Sequence, residues 1–305
     1  MNQHLLLGID IEGTKCAVVV GNRAGDVLDR SEWLSLADQG PEPMLSRIVS
    51  EAGKLLSNHR AEAVGVSIGG PLNSHEGIIY SPPNLPGWDA LPLKAILKKE
   101  LSLPVNIEHD AAACAFAEFL WGAGRKAENM AYFTCGTGFG AGFVFGGKIH
   151  RGARGGTCEV GHIGLRNDGP VAFGKKGSVE AFASGSGLTL LAAWRFPQRW
   201  AELPPSGAEL AKLAGQGDVD ARDILHLNAY AVGEVAAILT DSLGLDLVLI
   251  GSLARYLGEP WLEEVRESFA EKVLPAIGNQ CRIAASGLAE RLQDCSALAA
   301  ALAKS

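Results

Sequence analysis

The chain has 305 residues and a mass of 32.0 kDa, the length of roughly two ordinary domains. Hydrophobic residues make up 47% and charged residues 20%, which excludes disorder, coiled coil and collagen as descriptions of the whole chain. The 27 Lys and Arg residues against 34 Asp and Glu residues give a net charge of −7. That charge disfavours a nucleic-acid partner, since such proteins contact phosphate through cations. Small anionic ligands stay compatible with it, because backbone N–H groups can also hold phosphate.

The first residues, MNQHLLLGID, carry no basic segment before a short Leu run, so we expect no secretory signal. Apolar stretches stop short of the about 20 residues that a membrane span needs, so we expect no membrane partner. The six cysteines form no C-x-x-C pair and lie mostly in apolar or glycine-rich runs. This pattern indicates free thiols in a reducing compartment, and we expect a cytoplasmic protein.

The first predicted element is a hairpin. Two apolar strands, LLLGID and KCAVVVGN, flank the tight turn Ile11–Thr14. The β-branched run Ala17–Val20 predicts a second strand after this turn. Phosphate loops of the Walker or Rossmann kind lead into a helix instead. The sequence therefore does not predict a Walker or Rossmann phosphate loop at this turn.

Alternating helices and strands follow the hairpin. Apolar spacing predicts a helix over Pro43–Leu56, then strands over Ala63–Ile68 and Val105–Glu108. Asp110 is the predicted N-cap of a helix that runs to Leu120.

A second hairpin repeats the first. The strands MAYFTC and FVFGGKIH flank the turn Gly136–Gly142, whose sequence is GTGFGAG. Glycines there allow positive φ and would let backbone donors point at phosphate oxygens. Two such turns, with Asp10 before one and Thr137 inside the other, are more specific evidence of phosphate binding than a single turn.

The rest of the chain is again α/β in pattern. Residues Arg195–Asp218 are interrupted by Pro and Gly and are interpreted as a surface excursion. Long apolar helices are predicted over Leu225–Leu243 and Ala289–Leu302. Between them, Leu245–Arg255 contains a buried strand that ends in Gly-Ser and enters a helix. This alternation predicts α/β domains with mixed sheets.

Seven segments together resemble the ROK family of repressors, open reading frames and kinases. They are GIDIEGTK, GVSIGGPLN, SPPNLPGW, EHDAAACAFAE, CGTGFGAG, GGTCEVGHIG and VLIGS, in the family's order over nearly the whole chain. The resemblance implies the duplicated actin/hexokinase-type (ribonuclease H-like) α/β fold, with mixed β-sheets and a central cleft. Its lobes would be residues 1–109 with about 290–305, and residues 110–289. The first hairpin starts at Leu5, so we expect no DNA-binding helix-turn-helix of the kind that ROK repressors carry before it.

The resemblance makes Asp110 the candidate catalytic base, which would accept the proton of the attacking sugar hydroxyl. That role is compatible with an N-cap. The preceding position is usually Asn in the family, but here it is His109. His109 either still binds the sugar or alters which sugar is accepted.

The resemblance also implies ATP and Mg²⁺ as cofactors, with the metal near Asp10, typically through water. Glu12 stands where the family usually has Gly, and a carboxylate beside phosphate is unfavourable unless a cation is near or the side chain points away. The predicted cofactor-binding residues are Asp10, Gly13, Thr14, Lys15, Gly136, Thr137, Gly138, Gly140, Gly251 and Ser252.

Neutral donors and carboxylates are expected to hold the sugar hydroxyls. The loop SPPNLPGW would carry one of them, with Trp88 as its apolar anchor. The positions that match the family's sugar site are Gly70, Asn84, His109, Asp110, Glu159, His162 and Glu180.

Many ROK proteins bind zinc through the equivalent of His162 and three cysteines. The cysteine places here hold Val171, Phe173 and Ser178. Zinc needs about four N, S or O ligands, so we predict no zinc site. Val171 and Phe173 are expected to replace the metal by burying apolar area.

The predicted function is an ATP-dependent kinase that phosphorylates the primary hydroxyl of a hexose, with glucose favoured. Fructose, mannose, N-acetylmannosamine and N-acetylglucosamine stay open as acceptors, and polyphosphate as a donor. A non-catalytic sugar-sensing regulator is the alternative of another class, favoured by Glu12, His109 and the missing cysteines. Relatives are often dimers, so a homodimer is expected.

Overall fold

A computed structural model of the chain describes residues 4–156 and 158–303, apart from the side chain of Arg154. The ends of the predicted lobe, residues 1–3 and 304–305, lie outside the described residues. The strands are β1 (Leu5–Ile11), β2 (Lys15–Asn22), β3 (Val27–Leu34), β4 (Ala61–Ile68), β5 (Leu72–Asn73), β6 (Ile78–Ile79), β7 (Val105–His109), β8 (Asn129–Cys135), β9 (Phe139–Phe145), β10 (Lys148–Ile149), β11 (Val171–Ala172), β12 (Lys175–Lys176), β13 (Leu247–Ile250) and β14 (Arg282–Ala285). The helices are α1 (Pro41–Asn58), α2 (Leu93–Leu101), α3 (Asp110–Trp121), α4 (Val179–Ala183), α5 (Gly185–Arg195), α6 (Pro197–Trp200), α7 (Gly207–Gly215), α8 (Val219–Leu243), α9 (Ser252–Lys272), α10 (Pro275–Gly278) and α11 (Leu292–Leu302).

The first large sheet has the order β3-β2-β1-β4-β7. Its first three strands pair antiparallel, while β1, β4 and β7 run parallel. Successive side chains of a strand point to opposite faces, and both faces are covered here. On one face Leu7 and Ile9 share a core with α1 and α2, and on the other Leu6 packs with Leu298 of α11.

The second large sheet has the order β10-β9-β8-β13-β14, in which β8, β13 and β14 run parallel. Each sheet therefore places a hairpin-connected set of strands beside two further parallel strands. The predicted hairpin repeat is confirmed, and it extends to the whole order of the two sheets.

Internal contacts divide the chain into two units. The first comprises residues 1–126, 142–158 and 287–305, and the second comprises residues 127–141 and 159–286. Helix α3 groups with the first unit because it packs against α11, so this division differs from the predicted boundary at residue 110.

Two predictions about helices need correction. The stretch Arg195–Asp218 is not merely a surface excursion, since it contains α6 and α7 and buries Trp200 and Leu210. Helix α8 starts at Val219, before the predicted Leu225, because the Asp218 carboxylate caps it by accepting the N–H groups of Asp220 and Ala221. In the described part of the chain, no helix combines the length and the apolar character needed to cross a membrane.

Candidate functional site

Three parallel strands of the first unit end in register. Ile11 at the end of β1 pairs with Ile68 at the end of β4, which pairs with His109 at the end of β7. Chain segments that leave such ends emerge along one edge of the sheet, the usual place of ligand sites in α/β sheets. The turn after β1, Gly70 after β4 and Asp110 after β7 are thereby collected at that edge.

Asp110 opens helix α3 and keeps 49% of its side chain exposed. Its Oδ1 accepts the N–H of Ala111 at 2.6 Å and lies 3.3 Å from Nδ1 of His109. The predicted N-cap is wrong by one residue. His109 occupies that position without a side-chain capping bond, and Asp110 is the first helical residue. Because half of the carboxylate faces solvent, it is accessible to a substrate hydroxyl.

Glu108, directly before His109, forms an ion pair that sequence reasoning missed. Its carboxylate is buried and accepts Nε–H of Arg151 at 3.3 Å and a second guanidinium N–H. Burial raises the pKa of Glu108, while Arg151, His75 and Lys94 oppose that rise. The pair ties the end of β7 to a loop 43 residues further along the chain.

Asp10 lies in the last part of β1, is nearly fully buried and pairs across the sheet with Ser67, whose hydroxyl bonds to it. Burial raises the pKa of Asp10 well above its ordinary value, and the charges of Glu12 and Asp110 raise it further. Burial also raises the pKa of Glu12. Lys15 makes its ion pair with Glu32 at 3.2 Å, although its charge also lowers the pKa values of Asp10 and Glu12. Asp10, Glu12 and Asp110 are therefore close enough for their charges to interact.

This crowding bears on the predicted magnesium ion. Asp10 supplies the hard carboxylate oxygen that Mg²⁺ prefers, and a divalent cation would relieve the repulsion around it. Among the described residues, no group of three His, Cys, Asp or Glu side chains could hold a metal by itself. The residues thus fit a cation that is shared with phosphate and water better than one enclosed by protein.

Asn84 lies against the first turn. A Cβ on Gly13 would be 2.7 Å from the Asn84 backbone oxygen and 2.8 Å from its Cβ. The turn is held from the other side by Ser35, whose hydroxyl donates to the Gly13 carbonyl at 2.5 Å and whose N–H donates to the carbonyl of the exposed Thr14. Trp88 is fully buried, as predicted for the anchor of the Asn84 loop.

We expect Gly13→Ala to raise KM for the sugar about tenfold, because the added methyl group displaces backbone atoms of the Asn84 loop. Steady-state kinetics at saturating nucleotide measure this. Gly69→Ala is the matched control, since a Cβ there meets nothing within 4 Å. An unchanged KM in Gly13→Ala would show that the position of Asn84 does not matter for the acceptor.

The second glycine-rich turn lies in the second unit and is held through its carbonyl groups. The Gly136 carbonyl accepts the N–H of Gly185 at 2.7 Å, and the Thr137 carbonyl accepts the Ser186 hydroxyl at 2.6 Å. The N–H of Gly140 donates to Oγ1 of Thr134 at 2.9 Å.

Gly136, Gly138 and Gly140 do not use the positive φ that glycine allows. Gly136 faces Ser252, and Gly138 faces the carboxylate of Glu180. Both neighbours would stand about van der Waals distance from an added Cβ, 3.8 Å and 3.5 Å.

Gly251 and Ser252 lie where β13 passes into α9. The Gly251 N–H donates to the Phe133 carbonyl of β8 at 2.9 Å, and a Cβ on Gly251 would lie 2.3 Å from the Tyr132 hydroxyl. Because Gly136 faces Ser252, the turn that starts at Gly136 and the turn at Gly251 and Ser252 are neighbours in the second unit. Both turns are predicted to bind the nucleotide.

Glu159, His162 and Glu180 are also brought together. Burial raises the pKa of Glu180, the charge of Glu159 adds to this rise, and His162 opposes it. The Phe139 N–H donates to Glu180 Oε2 at 3.4 Å, so this carboxylate joins the predicted sugar residues to the second turn.

Val171 and Phe173 do not behave as expected. Val171 is 55% exposed and Phe173 is 65% exposed, so the predicted burial of apolar area is wrong. Both lie in the short hairpin β11–β12, whose tip at Phe173 and Gly174 has positive φ and projects the apolar side chains outward.

The predicted site residues thus form two groups, one in each unit. The first unit joins Asp10, Gly13, Thr14, Lys15, Gly70, Asn84, His109 and Asp110, and the second joins Gly136, Thr137, Gly138, Gly140, Glu159, His162, Glu180, Gly251 and Ser252. Sequence reasoning missed the hydroxyl residues that hold them, Ser35, Ser67, Thr134 and Ser186. The register of β1 with β4 would have indicated Ser67, because it places Ser67 opposite Asp10.

Comparisons with known proteins agree with this fold. The ROK family model matches residues 6–304. A glucokinase from Halalkalibacterium halodurans is 30% identical over 305 residues, which cover 94% of this chain and 92% of that protein. The crystal structure of a ROK hexokinase from Thermus thermophilus is similar at a TM-score of 0.86 and 29% identity, over 98% of both chains. A ROK glucokinase from Streptomyces griseus, solved in complex with glucose and AMPPNP, has a TM-score of 0.79 and 29% identity, over 98% of this chain and 99% of that one.

The two sheets of identical strand order, with glycine-rich turns at the first hairpin of each, define the duplicated actin/hexokinase-type fold. The chain belongs to the ROK family.

Proposed function

We propose that the chain is an ATP-dependent hexose kinase that transfers the γ-phosphate to the primary hydroxyl of the sugar, with glucose as the favoured acceptor. The in-register ends of β1, β4 and β7, which bring Asp10 and Asp110 within electrostatic reach, are the observation that carries this proposal. The relatives named glucokinase support the reaction and the choice of glucose.

In the proposed reaction the Asp110 carboxylate accepts the proton of the attacking hydroxyl as the new O–P bond forms. Its fixed position at the start of α3 supplies orientation, and the neighbouring imidazole of His109 restricts where the carboxylate points. The family resemblance also assigns acceptor contacts to Asn84, Glu159, His162 and Glu180.

Backbone groups of the two glycine-rich turns, Gly13–Lys15 and Gly136–Gly140, would hold the phosphates, and Gly251 and Ser252 would contact adenosine. Magnesium bound near Asp10, through water, would neutralise phosphate charge. Asp10 is positioned for this by burial and by the Ser67 hydroxyl.

A coupled assay of ADP release with a panel of hexoses tests the proposal. We expect kcat/KM for glucose to exceed that for fructose, mannose, N-acetylmannosamine and N-acetylglucosamine by about tenfold or more. A different leading sugar would overturn the choice of glucose and leave the kinase assignment intact.

Two other outcomes of that assay would replace the proposal. Sugar binding without ADP release for any acceptor would favour the sugar-sensing regulator. Turnover with polyphosphate but not with ATP would change the donor, and contacts of adenosine with Gly251 and Ser252 would then be excluded.

The cellular setting belongs to the same proposal. A reaction that consumes ATP suits the cytoplasm, and the cysteine thiols, of which Cys16, Cys114, Cys135 and Cys295 are buried, suit its reducing conditions.

The homodimer and the lobe bounds, residues 1–109 with about 290–305 and residues 110–289, are proposed from the family resemblance. Sedimentation equilibrium tests the homodimer.

A further inference from the structure

The segment around His162 lacks the donors of a zinc site. Ser178, in one of the three cysteine places, is buried, and its hydroxyl accepts the Ala181 N–H as the cap of α4. The other two places hold the exposed hydrocarbon side chains of Val171 and Phe173, which cannot ligate a metal. The residues therefore do not fit zinc, and something else must hold this segment in place.

Backbone hydrogen bonds supply a first set of links. The Val179 N–H donates to the Ile163 carbonyl at 2.8 Å, and the N–H groups of Leu165 and Arg166 donate to the Gly177 carbonyl at 2.9 and 3.0 Å. The Gly177 N–H donates to the Pro170 carbonyl at 2.9 Å. These bonds join the residues after His162 to the residues before Glu180.

Gly177 allows this closure. It has φ of +65°, and a Cβ there would lie 2.2 Å from the Arg166 carbonyl oxygen. Gly174, at the tip of the same hairpin, has φ of +72° and nothing within 4 Å of an added Cβ. The two glycines share the left-handed conformation, but a side chain at Gly177 would also collide with backbone.

Two side chains of the hairpin contact His162 directly. The Lys175 ammonium donates a hydrogen bond to the His162 carbonyl oxygen. The Phe173 ring lies with its centroid 6.2 Å from that of the His162 imidazole, at an interplanar angle of 58°, within the range of favourable tilted ring pairs. The Lys175 hydrogen bond holds the backbone of His162, and the Phe173 ring limits the orientation of its imidazole.

We propose that Phe173, Lys175 and Gly177 of the β11–β12 hairpin, which we name the hairpin clasp, position His162 for the acceptor sugar without any metal ion. Phe173 and Lys175 are positioning residues in this proposal, and His162 is the residue that touches the sugar. The role in sugar binding rests on the proposed function, whereas the clasp itself concerns the free protein.

The first test compares Lys175→Met and Phe173→Ala with two controls. Lys176→Met is matched to the lysine change, because Lys176 pairs with Asp168 at 2.7 Å instead of with His162. Val171→Ala removes another exposed apolar side chain of the same hairpin. We expect both test variants to raise KM for glucose about threefold to tenfold and to leave kcat within about twofold. Both controls should keep the KM of the unmodified chain.

A second readout uses the free protein. The His162 ring resonance, assigned with His162→Gln, should shift in Phe173→Ala because a nearby aromatic ring is lost, and amide exchange over residues 162–166 should quicken in Lys175→Met. Unchanged resonance and exchange in these variants would overturn the clasp even if the chain is a kinase. If the unmodified chain phosphorylates no sugar, the proposed function fails, and these measurements still decide the clasp.

Gly177→Ala and Gly174→Ala give an independent comparison. We expect faster exchange over residues 162–166 in Gly177→Ala than in Gly174→Ala, since a backbone collision is added to the same unfavourable φ. Incubation with a zinc-selective chelator, followed by assay in excess Mg²⁺, should leave KM and exchange of the unmodified chain unchanged. Loss of sugar binding on chelation of zinc, with recovery on adding zinc back, would overturn the metal-independent clasp.

Discussion

Asp110→Asn is expected to lower kcat by about two to four orders of magnitude, the usual contribution of a general base. The amide keeps the size of the carboxylate and its hydrogen bond with the Ala111 N–H, but it cannot take the proton of the attacking hydroxyl. Because ground-state contacts are retained, the dissociation constant for glucose should stay within about threefold. Single-turnover kinetics and calorimetric titration with glucose measure the two quantities.

Asp38→Asn is the control for this change, because it makes the same substitution at an exposed residue outside the proposed site. It should leave kcat and affinity unchanged. Turnover within tenfold of normal in Asp110→Asn would remove Asp110 from proton transfer, and loss of glucose binding would assign it to acceptor recognition instead.

Asp10→Asn is expected to make the free protein more stable at pH 8 while lowering kcat by about a hundredfold or more. The folded chain holds the Asp10 carboxyl with a raised pKa because the group is buried beside Glu12 and Asp110. An amide at this place carries no charge to desolvate, so the variant should gain about 1–3 kcal/mol in the free energy of unfolding. Turnover falls because the proposed magnesium site loses its carboxylate.

The sign of the pH dependence follows from proton binding. The unfolded chain loses the Asp10 proton near the ordinary value of 3.8, whereas the folded chain retains it to higher pH. Between these two pKa values the folded state binds more protons, so the free energy of unfolding falls as pH rises. Urea unfolding without nucleotide or metal should show a flatter pH profile for Asp10→Asn than for the unmodified chain.

Glu12→Gln provides a graded comparison, because it removes one of the two carboxylates that repel Asp10 and leaves Asp10 itself. It should stabilise the free protein by less than Asp10→Asn does, and kcat should stay within about threefold. An Asp10→Asn variant less stable than the unmodified chain throughout pH 5–8 would contradict the raised pKa assigned to the Asp10 carboxyl.

Much of the fold was predictable from local pattern. The strand over Ala63–Ile68 and the helix over Pro43–Leu56 were predicted within two residues at each end, because their hydrophobic periods are clear. The helix start near Asp110 was displaced by one residue, since capping depends on backbone geometry that composition does not specify. The segment 195–218 was misread because short helices such as α6 and α7 contain too few residues to show a period.

The sequence predicted some features of the site and missed others. Family resemblance pointed to Asp10, Asn84 and Glu180, and the roles assigned to them stay predictions. The partners that hold Asp10, Gly13 and Glu180 were not visible, because Ser67, Ser35 and Phe139 are separated from these residues by up to 57 positions along the chain and meet them only on folding. Burial was misjudged for Phe173, since residue type does not reveal that it stands at the tip of a short hairpin.

The amino-acid sequence by itself determined the alternation of strands and helices, the repeated glycine-rich hairpin and the membership of a sugar-kinase family, because these depend on residue type and spacing along the chain. Tertiary structure alone decided the register that sets Asp10 opposite Ser67, the ion pair of Glu108 with Arg151 and the contact of Phe173 with His162. Each of these joins segments whose relative placement is set by the packing of whole sheets and helices, and no local rule encodes that packing.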